Sequence, residues 1–183
     1  MDLNMWFERG LTAKKYISSM QINQEEMLHI TESFSLTDVR KARKLQKYNL
    51  RALILTADWC GDAMVNLPIF MSIAKEANIK SRFFIRDENL ELMDQYLTNG
   101  TARSIPIIIL IDENGKYYTK WGPRAKSVQE LVDEYIREVP AQNDPKYKEA
   151  FHSFINKLTT LYKTDSSIWS AIEADMLNTF IKK

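Results

Sequence analysis

Among 183 residues there is one cysteine, Cys60, set between two carboxylates in Thr56-Ala57-Asp58-Trp59-Cys60-Gly61-Asp62-Ala63. A cysteine becomes a nucleophile when it ionises, and its surroundings decide how readily that happens. With no second cysteine it cannot close an internal disulfide. A covalent cycle at Cys60 would therefore start as a mixed disulfide with another molecule and end by attack of an external thiol. The apolar run before Cys60 and the helix-compatible segment after it place the sulfur at a helix N-terminus. The helix dipole there favours thiolate by about 0.3–1 kcal/mol. Asp58 and Asp62, each two residues away, oppose it. A carboxylate at ~6 Å in an effective dielectric of ~40 costs the thiolate about 1.4 kcal/mol, roughly one pKa unit. The two effects nearly cancel, so the expectation is an exposed but weakly acidified thiol.

The elements that must position this loop can be read from periodicity. Residues 51–57 (RALILTA) form a short apolar run and are expected to be a buried strand. From Gly61 to about Asn78, Met64, Val65, Leu67, Phe70, Met71, Ile73, Ala74 and Ala77 fit one broad helix face, with Pro68 expected to kink it. Ser81–Arg86 is a second strand, and Glu88–Leu97 a second helix closed by Asn99-Gly100. Ile107–Ile111, with its β-branched run, is a third buried strand. Asp112-Glu113-Asn114-Gly115 turns the chain into a partner strand over Lys116–Trp121. Ser127 is placed to cap a helix reaching about Glu138, with Val128, Leu131, Val132 and Tyr135 inward. The order is β-α-β-α-β-β-α, with parallel pairing early and antiparallel pairing late.

Both ends are helical by pattern. Trp6, Tyr16, Ile17, Met20 and Met27 precede a basic helix around Arg40–Lys47. After the segment Val139–Pro145, Tyr147, Phe151, Phe154, Leu158 and Leu161 recur at helical spacing, as do Ile168, Ile172, Met176 and Phe180. The expected organisation is an N-terminal helical extension over 1–48, a central domain over 49–139 and a C-terminal helical extension over 140–183. The extensions are expected to pack on the sheet and complete its core.

Order and landmarks together resemble the thioredoxin family over about residues 50–138. That family's loop is usually Trp-Cys-Gly-Pro-Cys. Trp59-Cys60-Gly61-Asp62-Ala63 keeps the first cysteine, carries Asp62 for the proline and replaces the second cysteine with Ala63. Pro68 stands where the family has its helix-kinking proline, eight residues after the cysteine. Asp87-Glu88-Asn89 looks like its Asp-x-Asn segment, Ala102–Pro106 like the stretch holding its cis-proline, and Gly122 follows at the family's spacing. The resemblance implies an α/β thioredoxin fold, a mixed sheet flanked by helices, with extra N- and C-terminal helices. It implies that Cys60 is the catalytic thiol and that Trp59, Ile105 and Pro106 form a groove for an extended substrate chain. Asp58 and Asp62 are expected as modulators. The family's buried carboxylate, six residues before the cysteine, is replaced by Ile54. The resolving thiol and its base are thus lost together.

The function expected is monothiol thiol-disulfide exchange, with protein disulfides or S-thiolated proteins as partners. No cofactor is expected beyond a low-molecular-weight thiol, glutathione or bacillithiol, as co-substrate. A redox-inactive binding module on the same fold is the alternative. A cluster carrier like the monothiol glutaredoxins is a poorer match, because those proteins show Cys-Gly-Phe-Ser. Twenty-five basic against twenty-four acidic side chains argue against nucleic acid or anionic membrane as partner. No apolar run reaches the ~18–20 residues of a membrane span, and the first residues do not resemble an export signal, so the cytoplasm is the expected location. No metal site is expected: His29 and His152 lack companions at ligand spacing. Asn99-Gly100-Thr101 matches a glycosylation sequon in form alone.

Overall fold

A computed structural model describes residues 1–181; the last two residues of the expected C-terminal extension, Lys182 and Lys183, lie outside it. Four strands form one mixed sheet in the order β2-β1-β3-β4. They are β1 (Arg51–Thr56), β2 (Lys80–Ile85), β3 (Ile107–Ile111) and β4 (Tyr117–Trp121). β1 pairs parallel with β2 and antiparallel with β3, and β3 pairs antiparallel with β4. β3 is buried along its whole length, and β1 from Ala52 onward, because helices cover both faces at the centre of the sheet. Each such Leu or Ile contributes about 1.5–3 kcal/mol by leaving water.

The long helix α5 (Gly61–Ala77) follows β1 directly and runs through Pro68 without ending. It stops at Asn78, whose left-handed backbone (φ 56°) turns the chain into β2. The helix expected over Glu88–Leu97 is shorter. The chain makes a 3-10 turn over Arg86–Glu88 and one α-helical turn, α6 (Leu90–Met93). Asp94 then accepts two hydrogen bonds from the Arg103 guanidinium, at 2.7 and 2.9 Å, and residues 94–105 fold back instead of extending the helix. The β3–β4 turn is the expected one: Asp112 closes on Lys116, and Gly115 takes the left-handed conformation (φ 81°). Helix α7 (Lys126–Ile136) begins one residue before Ser127, with Ala125 at its N-cap and no side-chain cap. Ser127 is therefore not the cap, because the buried Ala125 holds that position and puts Ser127 inside the first turn.

Before β1 lie α1 (Leu3–Arg9), α2 (Ala13–Ser19), α3 (Gln24–Ser33) and the short α4 (Val39–Arg43), which passes into a 3-10 turn over Lys44–Tyr48. Leu11, between α1 and α2, bridges Phe83 through two backbone hydrogen bonds and shields the outer edge of β2. After α7 come α8 (Tyr147–Thr164) and α9 (Ser166–Phe180). Buried apolar residues from both ends share one continuous core with the sheet. Among the described residues no helix is long and apolar enough to cross a membrane.

Candidate functional site

β1 ends at Thr56, and the next four residues carry the chain across the sheet's end to α5. Cys60 is the N-cap of α5: Ala63 N–H donates to Sγ at 3.4 Å, and the Cys60 carbonyl accepts from Met64. The thiol in turn donates to the Ile105 carbonyl at 3.4 Å. Ile105 is joined to Pro106 by a cis peptide bond, and both are buried beside the sulfur. A Cβ on Gly122 would stand 2.1 Å from the Pro106 oxygen, and Gly122 has φ 120°. The close approach of these two loops therefore requires glycine there. Cys60, Ile105 and Pro106, distant in sequence, thus meet at one point.

The expectation of an exposed thiol is corrected. Cys60 is only 7% exposed. Burial pushes its pKa from 9.0 up to about 11, and the Asp62 carboxylate adds to that, against the opposing Ala63 and Asp62 N–H groups and Arg124. The balance drawn from sequence omitted desolvation, which penalises the charged form more than either local effect.

Asp62 faces the C-terminal arm. Its two oxygens accept from Arg124 Nε at 2.7 Å and Nη2 at 2.6 Å, and Tyr162 Oη donates to Oδ1 at 2.8 Å. Arg124 also donates to Gln129. Tyr162 is fully buried, and its pKa is pushed up first by burial and then by Asp62. Asp58 is likewise spoken for. It is half-buried, and its Oδ2 accepts from the Gln21 and Ile22 N–H groups at 2.8 and 3.3 Å. Asn23 donates to the Asp58 carbonyl at 2.8 Å. Asp58 holds the α2–α3 loop against the site. Trp59 is the exposed member of the group at 47%, with the Arg86 guanidinium 4.7 Å from its ring centroid.

Ile54 is fully buried between its β2 and β3 neighbours, so an apolar side chain occupies that position. The buried polar pair near the loop comes from elsewhere: Tyr16 Oη lies 3.0 Å from Thr56 Oγ1. Burial raises the Tyr16 pKa to about 12. Sequence reasoning did not single out Tyr16, Arg124 or Tyr162 as site residues. Arg124 follows Gly122-Pro123 closely enough to have been suspected, but nothing in the sequence ties Tyr162 to Asp62. Among the described residues no cluster of three or more His, Cys, Asp or Glu could hold a metal ion.

Two solved structures align with nearly the whole chain. One is an HIV epitope-scaffold, 14% identical, covering 95% of this chain and 99% of its own, with a TM-score of 0.61. The other is a protein of unknown function from Pseudomonas aeruginosa, 16% identical, covering 95% and 98%, with a TM-score of 0.59. At these identities the likeness is one of fold, and it includes the added helices. A thioredoxin from Fasciola hepatica aligns over 53% of this chain and 90% of its own, at 22% identity and a TM-score of 0.35. The thioredoxin family model matches residues 10–138, which takes in the Cys60 loop, the cis-proline segment and all four strands: the chain belongs to the thioredoxin family.

Proposed function

We propose that this protein carries out thiol-disulfide exchange by a monothiol route, with Cys60 as the nucleophile. One observation carries the reading: Cys60 Sγ caps α5 at the point where the Ile105–Pro106 segment closes on it. An attacking sulfur and the backbone of an extended substrate can meet there. The Cys60 thiolate attacks one sulfur of R–S–S–R′. The Cys60–S–S–R bond forms, the S–S bond of the substrate breaks, and R′S⁻ leaves and takes a proton. Ala63 occupies the resolving position, so a second thiolate from outside attacks the adduct. It leaves as a disulfide with R and returns the Cys60 thiolate. Each turnover consumes one external thiol and one disulfide and releases one thiol and one new mixed disulfide, so the number of disulfides is unchanged. The substrates are protein disulfides or S-thiolated proteins, a low-molecular-weight thiol is the co-substrate, and the setting is the cytoplasm.

Asp62 modulates the thiol through its negative charge, and Arg124 and Tyr162 hold that charge in place. Trp59 and Ile105–Pro106 would line the substrate's approach. The burial of Cys60 favours a second reading, a binding module that uses the same groove without redox chemistry. Intact mass separates the two. Brief exposure to oxidised glutathione or bacillithiol disulfide should give one adduct at Cys60, and the matching free thiol should remove it. If no adduct forms while a Cys60→Ser protein retains the same clients, the exchange reading is wrong.

A further inference from the structure

A groove of about 270 Å³ opens against the two neighbours of Cys60, Trp59 and Gly61. One wall is the Cys60 loop, with Trp59, Gly61 and the Asp62–Arg124 pair. The other is helix α8, with Phe154, Ile155, Leu158 and Tyr162, and Ile22 of the α2–α3 loop closes one end. Helix α8 lies beyond the residues matched by the thioredoxin family model, so this groove is an addition to the family's core. Three large apolar side chains from separate elements line it while still exposed: Ile22 at 52%, Trp59 at 47% and Ile155 at 40%. A Cβ built on Gly61 meets nothing within 4 Å, so the floor next to the thiol is open.

The charge pattern selects the occupant. The two charged residues in the lining, Asp62 and Arg124, neutralise each other through two hydrogen bonds. Asn23 is committed to the Asp58 carbonyl. Among the described residues that line it, no cation is left over to receive the carboxylates of a glutathione-like thiol, and the apolar rim would have to strip water from them. The volume falls just below the ~300–1,000 Å³ of small-molecule sites, enough for one large side chain. We propose that this groove seats a large apolar side chain of the client polypeptide, next to the cysteine whose disulfide meets Cys60. This deepens the exchange reading and rests on it for the chemistry, while the docking itself is independent of reaction.

The test uses short peptides with one cysteine capped as a mixed disulfide with 2-mercaptoethanol, and Phe, Gly or Glu beside that cysteine. Adduct formation at Cys60 is timed by mass spectrometry, with hydroxyethyl disulfide as a substrate that has no side chain to dock. The Phe peptide should react ~10-fold or more faster than the Gly peptide, the range a filled apolar pocket supplies, and the Glu peptide no faster than Gly. In Gly61→Leu, which fills the floor, and in Ile155→Glu, which charges an exposed wall, the Phe-to-Gly ratio should fall to about one. Equal rates for the three peptides, or a ratio that survives both substitutions, would overturn the proposal. So would a dimer in sedimentation that Gly61→Leu dissociates, because a second copy would then own the groove. Calorimetry of the reduced peptides against Cys60→Ser separates the two ideas. Selective binding of the Phe peptide with no reaction toward any disulfide leaves the groove standing and removes the exchange chemistry. Reaction with hydroxyethyl disulfide but no Phe preference in either assay does the reverse.

Discussion

The two helices of the C-terminal arm carry similar apolar periodicity and do different work. Helix α9 buries Ile168, Trp169, Ile172, Met176, Leu177 and Phe180, and Phe180 meets Phe70 of α5 edge-on at 6.0 Å. It is tied to β4 by Trp121 Nε1 donating to Asp175 at 2.6 Å and Tyr118 Oη donating to the Phe180 carbonyl at 3.0 Å. Its buried Glu173 accepts from the N–H groups of Thr37 and Asp38 and from the Thr37 hydroxyl, which fixes the chain entering α4. Helix α8 buries only Phe154, Leu158 and Tyr162 and leaves Phe151 and Ile155 in solvent. One helix completes the core. The other holds Asp62 through Tyr162 and walls a groove. A shared periodicity therefore does not imply a shared role: the partner surface decides whether an apolar stripe is filled or left open.

Substitutions can break that contrast or sharpen it. The largest effect belongs to α9, where Ile172→Ala or Met176→Ala should lower unfolding free energy by about 2–5 kcal/mol in urea titration. A loss no greater than that of an exposed site would mean α9 is not part of the core. Glu173→Ala strands the Thr37 and Asp38 N–H groups and should cost about 2–3 kcal/mol, again read from the denaturation midpoint.

The next predictions concern the thiol. Because its pKa is raised to about 11, alkylation at pH 7 should be ~100-fold or more slower than for a cysteine in an unfolded peptide. The rate should climb about tenfold per pH unit toward pH 11, and a plateau below pH 8 would contradict the burial argument. The sign carries over to stability. A thiol held protonated in the folded state contributes below about pH 9, and that contribution is lost as pH rises from about 9 to about 11. Asp62→Asn removes a charge that disfavours the thiolate, so alkylation at neutral pH should speed up several-fold; a slower rate would assign Asp62 a supporting role instead. The smallest effect is on the exposed rim of α8: Ile155→Ala should change stability by no more than about 0.5 kcal/mol.

How much of this was legible in advance differs by residue. The β1 and β3 runs, the Asp112–Gly115 turn and the long helix after Cys60 follow from local rules of periodicity and turn chemistry, so the sequence sufficed. The second helix is shorter than its pattern suggests, because Leu90, Leu92, Met93 and Leu97 suit a helix locally while the chain keeps only Leu90–Met93 helical. The Arg103–Asp94 pairing that accompanies the fold-back joins residues nine apart across a turn, which propensity does not register. The thiol's surroundings were misjudged for a related reason: Asp58 and Asp62 are adjacent to Cys60 in sequence, but the atoms that desolvate it are not.

Residue identity and short-range pattern suffice for the single thiol and for the β-α-β-α-β-β-α order around it, and the family resemblance adds that Ala63 and Ile54 stand where a resolving cysteine and a buried carboxylate are usual. The backbone expresses such identity and pattern locally. It took packing between distant segments to bury Cys60 and push its pKa up, to give Asp62 to Arg124 and Tyr162, and to leave a groove at α8 while α9 closes the core. Burial, ion pairing and groove shape arise between segments far apart in the chain, such as those of Thr37 and Glu173, 136 residues apart. Their energies depend on which surfaces meet, and no local stretch of chain encodes that alone.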